Sequence, residues 1–388
     1  MRRYSVEQER TIRAERLARN WLRSGLIDPA QHARIAPGLR VGLRRTNRFL
    51  RLTLFGFGLL IVAAAVALFA VSFHVSSADA AGATCLASGV AVWGLAELLV
   101  GRFRLYRFGL EEACATGAAV LVAGGTVFLT ESLQSGGSTD WELEVFIGLI
   151  TGAVAAVVVY RRFGYLYAAV AAMACAALAP FQLGLPFVPE RVLAAAVLAA
   201  CVVAARVMHQ RCGDEYAGSD YAAMYAVAVL GLYAVLNLQL FFVPAGTPRA
   251  FYWFTYVTIW IVPLGAFLSA VRERNRLLLD ASLVMGLATL VTNKPYLGLA
   301  RETWDPILLG VLLIGAAMAL RRWLAGGAGG MRGGFTARRI PRSDDDALAL
   351  AGLATAFRDA PAGAHHDGAP PDPFAGGRSG GGGASGSY

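Results

Sequence analysis

Apolar residues recur along the chain in ten stretches, each long enough to form a helix that crosses a lipid bilayer. These stretches cover residues 53–74, 80–100, 112–130, 143–160, 164–185, 190–208, 221–243, 251–271, 277–293 and 305–322. About 20 apolar residues in a helix span the ~30 Å hydrocarbon core of a membrane. The pattern therefore predicts an all-α polytopic transmembrane helix bundle of about ten spans over residues 53–322.

Charged residues alternate between the two sides that these spans define. All but four of the 35 Lys and Arg residues lie on one side. The four on the opposite side are Arg191, Arg249, Lys294 and Arg301. That side holds acidic residues instead, namely Asp79, Glu131, Asp140, Glu142, Glu144, Glu190, Glu302 and Asp305. Because Lys and Arg accumulate in cytoplasmic loops, both termini are predicted to be cytoplasmic, which requires an even number of spans.

Composition agrees with a membrane protein. Hydrophobic residues make up 56% of the 388 residues and charged residues only 16%, unlike a soluble multi-domain chain of this length. The net charge of +9 comes from arginines at the ends of apolar runs, where they set orientation rather than contact phosphates. No nucleic-acid partner is expected. None of the five cysteines forms a C-x-x-C pair, and no metal or cofactor site is predicted.

Residues 1–52 are predicted to form a cytoplasmic helical hairpin followed by a basic lead. Ser5 and Gln8 have the spacing of a capping box. Gly25 suits a helix C-cap, and Asp28-Pro29 suits the start of a second helix that Pro37 ends. An apolar stripe at helical spacing consists of Ala14, Leu17, Ala18, Trp21 and Leu22.

This hairpin is too short to bury a core of its own. We expect it to pack on the membrane domain, on lipid head groups or on a protein partner. The basic lead that follows can contact anionic lipid, at about 1 kcal/mol per charge. Its residues are Arg40, Arg44, Arg45, Arg48 and Arg51.

Residues 323–388 are predicted to be a flexible, largely disordered cytoplasmic tail. A Gly-rich linker covers 325–334, and Ser343 with Asp346 can cap a short helix. Beyond residue 360, Pro, Gly and Ser dominate, and such a segment buries too little apolar area to offset its ordering entropy.

One group of candidate functional residues lies at the cytoplasmic boundary of the spans. Its carboxylates are Glu97, Glu111 and Glu112, and the arginines beside them are Arg102, Arg104 and Arg107. Two interpretations stay open: interfacial ion pairs, or proton coupling through Glu97. No predicted span has a carboxylate or arginine at its midpoint, which argues against a proton pump or a coupled ion transporter.

A second group is polar and uncharged. Its members fall in the outer halves of their spans and are His74, Gln182, Asn237, Gln239, Tyr256 and Asn293. Together they would line a polar cavity that opens to the outside. Alternatively, Asn and Gln in spans hydrogen-bond between helices, and His74 alone lies at the interface. Small residues Gly148, Gly152 and Ala156 recur every fourth position, a pattern that allows close helix packing.

Catalytic signals are weak. Glu131, Asp140, Glu142 and Glu144 are close in sequence, but nothing fixes their geometry as an acid–base pair. His365-His366 lacks a second ligand pair, and no serine stands in a strand–turn–helix context. An enzyme is therefore the least favoured interpretation, and it would require these carboxylates to converge on an outward groove.

A resemblance to a known family rests on one segment near the N-terminus, followed by Ile35 and the basic lead. The segment reads Trp21-Leu22-Arg23-Ser24-Gly25-Leu26-Ile27-Asp28-Pro29-Ala30-Gln31. It is similar to a family of bacterial multi-pass inner-membrane proteins that is defined only as a domain of unknown function. Members of that family begin with a W-x-x-x-G-L-I helical hairpin. The resemblance implies the bacterial inner membrane but brings no established activity, and the long tail departs from the family's compact ending.

Two functions are consistent with this sequence. The favoured one is a non-enzymatic envelope protein that recruits or senses partners through its cytoplasmic ends. The alternative is a transporter or flippase for a small or lipidic substrate, which would use the outward-facing polar cavity.

Overall fold

The computed structural model describes residues 4–23, 27–134, 140–212, 220–241, 243–244, 246–273, 275–299, 302, 304–327, 331–332 and 335–336. Within these residues the chain is all-helical, apart from one pair of two-residue strands. The predicted C-cap glycine Gly25 and the predicted tail from residue 337 onward lie outside the described residues.

Two helices precede the predicted membrane region. They are α1 (Val6–Arg23) and α2 (Pro29–Ile35). The predicted capping box is confirmed: the Gln8 backbone N–H donates to Ser5 Oγ at 3.2 Å, and the Ser5 N–H donates to Gln8 Oε1 at 3.2 Å. Asp28, predicted to begin the second helix, caps α2 by accepting from the Gln31 N–H through its Oδ1 at 2.6 Å. A 3₁₀ turn that contains Pro37 follows α2.

Among the described residues, ten further helices occupy the apolar part of the chain. They are α3 (Arg48–Ser72), α4 (Ala78–Gly101), α5 (Leu110–Leu133), α6 (Trp141–Phe163), α7 (Leu166–Leu178), α8 (Phe187–Cys212), α9 (Asp220–Leu236), α10 (Arg249–Glu273), α11 (Arg276–Tyr296) and α12 (Asp305–Ala325). Beyond α12, strands β1 (Met331–Arg332) and β2 (Phe335–Thr336) pair antiparallel within and just beyond the predicted linker.

Seven of these helices, namely α3, α4, α5, α6, α8, α10 and α11, are long and apolar enough to cross a membrane. The chain is thus an all-helical, multi-pass protein by the length and composition of its helices. The prediction of ten spans exceeds this number by α7, α9 and α12. Two of the three predicted spans combine a short helix with a 3₁₀ turn: Ala179–Gln182 follows α7, and Leu238–Leu240 follows α9.

The helices pack in two groups, each with its own buried core. In the first, α5 lies against α3, α4 and α6; in the second, α9 lies against α8, α10 and α11. Helix α7 contacts both groups. Large apolar side chains on α3, such as Phe57, Leu60 and Leu68, are mostly exposed. An extensive exposed apolar surface of this kind suits contact with lipid.

Small residues allow the close helix packing that the sequence predicted. A Cβ atom added at Gly148 of α6 would lie 2.6 Å from Val127 Cγ2 of α5. A still tighter contact, which the sequence did not single out, joins α4 to α5. A Cβ at Gly82 would lie 2.6 Å from Leu129 Cγ and 3.0 Å from the carbonyl oxygen of Gly125. Both contacts need the absence of a side chain.

Candidate functional site

Helix α1 is docked on the connection between α4 and α5. The Tyr4 hydroxyl donates to the Leu105 carbonyl oxygen at 2.9 Å, and the Tyr106 hydroxyl donates to Glu9 Oε2 at 3.0 Å. The two tyrosine rings meet edge to face, with centroids 4.9 Å apart, and Ile12 is fully buried. We call Tyr4, Glu9, Ile12, Leu105 and Tyr106 the α1 docking site. Of the three packing partners expected for the hairpin, the structure shows the membrane helices.

The apolar stripe predicted for α1 is not the face that docks. Trp21 follows Ile12 by nine residues, which is about two and a half turns at 3.6 residues per turn, so it lies on the opposite side of the helix. Leu17 and Trp21 are accordingly 43% and 46% exposed. Only Ala18 of the predicted stripe is buried. Helix α1 therefore has a docked face and an apolar outward face.

The basic lead runs alongside the same connection. The Arg44 N–H donates to the Arg104 carbonyl oxygen at 2.9 Å, and the Tyr106 N–H donates to the Arg44 carbonyl oxygen at 3.0 Å. Arg104 and Arg107 adopt left-handed backbone conformations, with φ values of 54° and 49°. At Gly109 φ is 112°, and a Cβ there would collide with the Arg51 carbonyl, so only glycine suits the position.

The boundary carboxylates have partners from distant parts of the chain. Arg51 Nε donates to Glu112 Oε2 at 2.7 Å, and Arg162 Nη2 donates to Glu97 Oε2 at 3.0 Å. Neither arginine is among those that lie nearest to these carboxylates in the sequence. Arg102 and Arg104 are exposed, and the Arg107 guanidinium lies 5.7 Å from the centroid of the Tyr106 ring.

Glu111 differs from its two neighbours in this group. Its side chain is fully buried, and its Oε1 accepts a 2.7 Å hydrogen bond from the Phe108 N–H. Its Oε2 has no hydrogen-bond partner among the described residues. The group thus contains two carboxylates paired with arginine and one enclosed carboxyl group.

Burial also affects the tyrosines of the α1 docking site. It raises the pKa of Tyr106 to about 12 and raises the pKa of Tyr4 well above its usual range. Nearby carboxylates act in the same direction in both cases. Both hydroxyls are therefore protonated at neutral pH and available as hydrogen-bond donors.

Four of the six residues predicted to line a cavity form hydrogen bonds around α9, α10 and α11, and two of them, Asn237 and Gln239, belong to one network. Asn237 is fully buried, and its amide donates to Tyr233 Oη at 2.8 Å and to Thr292 Oγ1 at 3.0 Å. The Gln239 amide donates to Tyr252 Oη at 3.1 Å, and the Tyr252 hydroxyl donates to the Tyr296 carbonyl at 3.0 Å.

The other two of these four, Tyr256 and Asn293, form a separate hydrogen-bonded pair. The Tyr256 hydroxyl donates to Asn293 Oδ1 at 2.9 Å. His74 is exposed and Gln182 is half-buried in the 3₁₀ turn after α7. Among the described residues, neither His74 nor Gln182 forms a hydrogen bond with the network. The cavity stays a prediction. The hydrogen bonds from Asn237 to Thr292 and from Tyr256 to Asn293 are contacts between helices.

Sequence reasoning missed Arg191, which lies at the edge of this network. It is 6% exposed, and its Nη1 donates to the Val235 carbonyl oxygen near the end of α9 at 2.8 Å. Its guanidinium lies 4.7 Å from the Phe187 ring and 5.5 Å from the Phe241 ring. Arg191 is one of only four basic residues on its side of the predicted spans, and this feature of the sequence could have identified it. The arginine caps a helix C-terminus, where carbonyl groups lack partners and a cation is favoured.

In the acidic segment before α6, Asp140 is a helix cap. Asp140 Oδ1 accepts from the Leu143 N–H at 3.3 Å and caps α6. Nowhere in the described part of the chain do three or more His, Cys, Asp or Glu side chains form a group able to hold a metal ion.

Comparison with protein-family models, with curated proteins and with solved structures found no match for this chain. The resemblance at Trp21–Gln31 therefore has no support from a family model and stays a prediction.

Proposed function

We propose that the chain is a non-enzymatic, multi-pass protein of the bacterial cytoplasmic membrane that recruits or senses a protein partner through its N-terminal helical hairpin. In this proposal it has ten spans, and both termini are cytoplasmic. The distribution of Lys and Arg supports this orientation, since cytoplasmic loops are rich in them.

The outward face of α1 is the observation that carries the proposal. The docked face holds the helix on the membrane domain through Tyr4, Glu9 and Ile12, so α1 cannot rotate to hide its other side. Leu17 and Trp21 are exposed, and in the proposed orientation they face the cytosol; Arg16, Arg19 and Arg23 are close to them in the sequence. Exposed aromatic and apolar side chains with a basic rim are typical of protein interaction sites. A partner with an apolar centre and an acidic rim would complement this face.

In-cell photocrosslinking tests the proposal. A photoreactive amino acid at Leu17 or Trp21 should give a discrete crosslinked protein, whereas one at Arg19, on another face of α1, should not. Leu17→Ser combined with Trp21→Ser should abolish co-purification of that protein while the membrane domain still accumulates. Crosslinks to lipid alone at Leu17 and Trp21, or an identical product at Arg19, would contradict the proposal.

The polar network gives weaker support to the alternative, a transporter or flippase. A substrate pathway needs polar groups that face water, and the Asn237 amide instead bonds to Tyr233 and Thr292 within the helix bundle. Asn, Thr and Tyr side chains that satisfy one another are what interhelical packing requires. We therefore retain the recruiting or sensing role.

A further inference from the structure

Glu111 is an enclosed carboxyl group close to Tyr4, which belongs to the α1 docking site. It is the second residue of α5, and its side chain is fully buried. One oxygen accepts from the Phe108 N–H, and the other has no hydrogen-bond partner among the described residues. An ionised carboxylate in such a place carries a large desolvation cost, whereas a carboxylic acid is neutral.

The charged and titratable groups around Glu111 do not supply a cation of its own. Those that interact with it electrostatically are Tyr4, which precedes α1, Arg51 of α3, Glu112 and Cys114 of α5, and Tyr165 and Tyr167 at the start of α7. Arg51 donates through Nε to Glu112, and Tyr4 donates to the Leu105 carbonyl oxygen. Ionised Glu112 is a like charge on the next residue and disfavours a second anion.

Three features favour the anion. They are the Phe108 N–H, the N-terminus of α5, whose dipole stabilises negative charge, and the positive charge of Arg51, which pairs with Glu112. None of them belongs to α1, so all three remain whether or not α1 is docked. Burial, by contrast, depends on α1, because Tyr4 belongs to the same enclosed cluster as Cys114 and Tyr165. Removal of α1 opens this cluster to water, which solvates the anion. The protonation of Glu111 is therefore coupled to the docking of α1.

We propose that Glu111 is a proton-binding site that controls the docking of α1: the neutral acid keeps α1 on the membrane helices, and loss of the proton to water releases it. The docked state then binds one more proton than the released state. Docking is strongest at low pH and weakens by up to tenfold per pH unit over the interval in which the released state has lost the proton and the docked state still holds it. Above that interval docking no longer changes with pH. A rise in cytosolic pH would thus free α1 together with its Leu17 and Trp21 face.

This inference rests on the proposed function only in assuming that α1 binds a partner. Its test measures docking itself, so partner binding and pH control can fail independently of one another.

Hydrogen exchange of the α1 amides tests the inference. The full-length protein in lipid nanodiscs is exchanged from roughly pH 5 to pH 9, with correction for the intrinsic pH dependence of exchange. We expect wild-type protection of residues 6–23 to fall by up to about tenfold per pH unit over that interval and to level off above it. In Glu111→Gln, a neutral mimic of the acid, protection should not change with pH. Glu97→Gln, which removes a carboxylate at the same end of the bundle, should keep the wild-type profile.

Equal pH profiles for wild type and Glu111→Gln would overturn the inference, as would pH-independent protection in the wild type. If Glu111→Gln fails to accumulate, infrared spectroscopy of the wild type decides. The absorption of a protonated carboxylic acid must then disappear over the pH range in which α1 loses protection. Its absence at every pH, or its loss without a change in α1, would refute the proton site.

Discussion

The ion pair of Arg51 and Glu112 connects the start of α3 to the start of α5. Glu112 is almost fully buried, whereas Arg51 remains about one-third exposed. Removal of either side chain would leave the other charge without its partner in a poorly hydrated place, which is far more costly than the pair is stabilising. The neighbouring Glu111 is left without this cation, and that difference between adjacent residues is what gives Glu111 its separate chemistry.

Sequence distance decided which side-chain contacts were predictable. The caps at Ser5 and Asp28 join residues three positions apart, so the sequence alone identified them. The arginine partners of Glu112 and Glu97 lie 61 and 65 residues away. Only the folded bundle brings them together, so proximity in the sequence did not identify these two arginines.

Asn237 provides a prediction at this scale. Asn237→Leu leaves the Tyr233 and Thr292 hydroxyls short of a donor inside the bundle, so we expect a loss of about 1–2 kcal/mol in the free energy of unfolding. Gln182→Leu, at a half-buried site outside the network, should change it by less than about 0.5 kcal/mol. Thermal or denaturant unfolding in detergent measures both. Undiminished stability of Asn237→Leu with loss of a transport activity would instead favour the polar cavity.

At the scale of elements, α1 shows how far an amphipathic pattern can be interpreted. Periodicity correctly predicted a helix and its cap. It selected the stripe of Leu17 and Trp21, however, while the docked face combines Ile12 with Glu9 and Tyr4. Glu9 is polar and Tyr4 precedes the helix, so neither contributes to an apolar stripe. Buried polar contacts to another element are invisible to a hydrophobic pattern.

Docking of α1 gives a matched pair of substitutions. Ile12→Ala removes a fully buried side chain and should weaken docking by about 3 kcal/mol. At tenfold per 1.4 kcal/mol this is a roughly hundredfold rise in the exchange rate of α1 amides. Leu17→Ala on the outward face should leave exchange within about twofold of wild type. Equal effects of the two substitutions would show that the helix is held in another way.

At the scale of the whole molecule, the length of a helix is a poor guide to whether it crosses the bilayer. Helix α7 with its 3₁₀ turn has 17 residues, or about 25 Å of helix, slightly less than the ~30 Å hydrocarbon core. Yet its two ends lie at opposite ends of the first helix group. Tyr165, before α7, shares a buried cluster with Tyr4, whereas Gly184, after the 3₁₀ turn, approaches Glu142 at the start of α6.

Whether α7 crosses the membrane can be tested, because an odd and an even number of spans place the termini differently. If only the seven long apolar helices crossed the membrane, the two termini would lie on opposite sides. If α7, α9 and α12 also cross, both termini lie on the same side, as the distribution of Lys and Arg requires. For this test, single cysteines replace Arg161 and Leu185 on either side of α7, in a chain without its native cysteines.

A membrane-impermeant thiol reagent added to intact cells should label Leu185→Cys and spare Arg161→Cys, and cell lysis should make both reactive. Reporter fusions at the N-terminus and after Trp323 should both report the cytoplasm. Labelling of both cysteines, or of neither, before lysis would mean that α7 does not cross the membrane. The polarity of every later helix would then be reversed, and the arginines at the end of α8 would lie on the outer face.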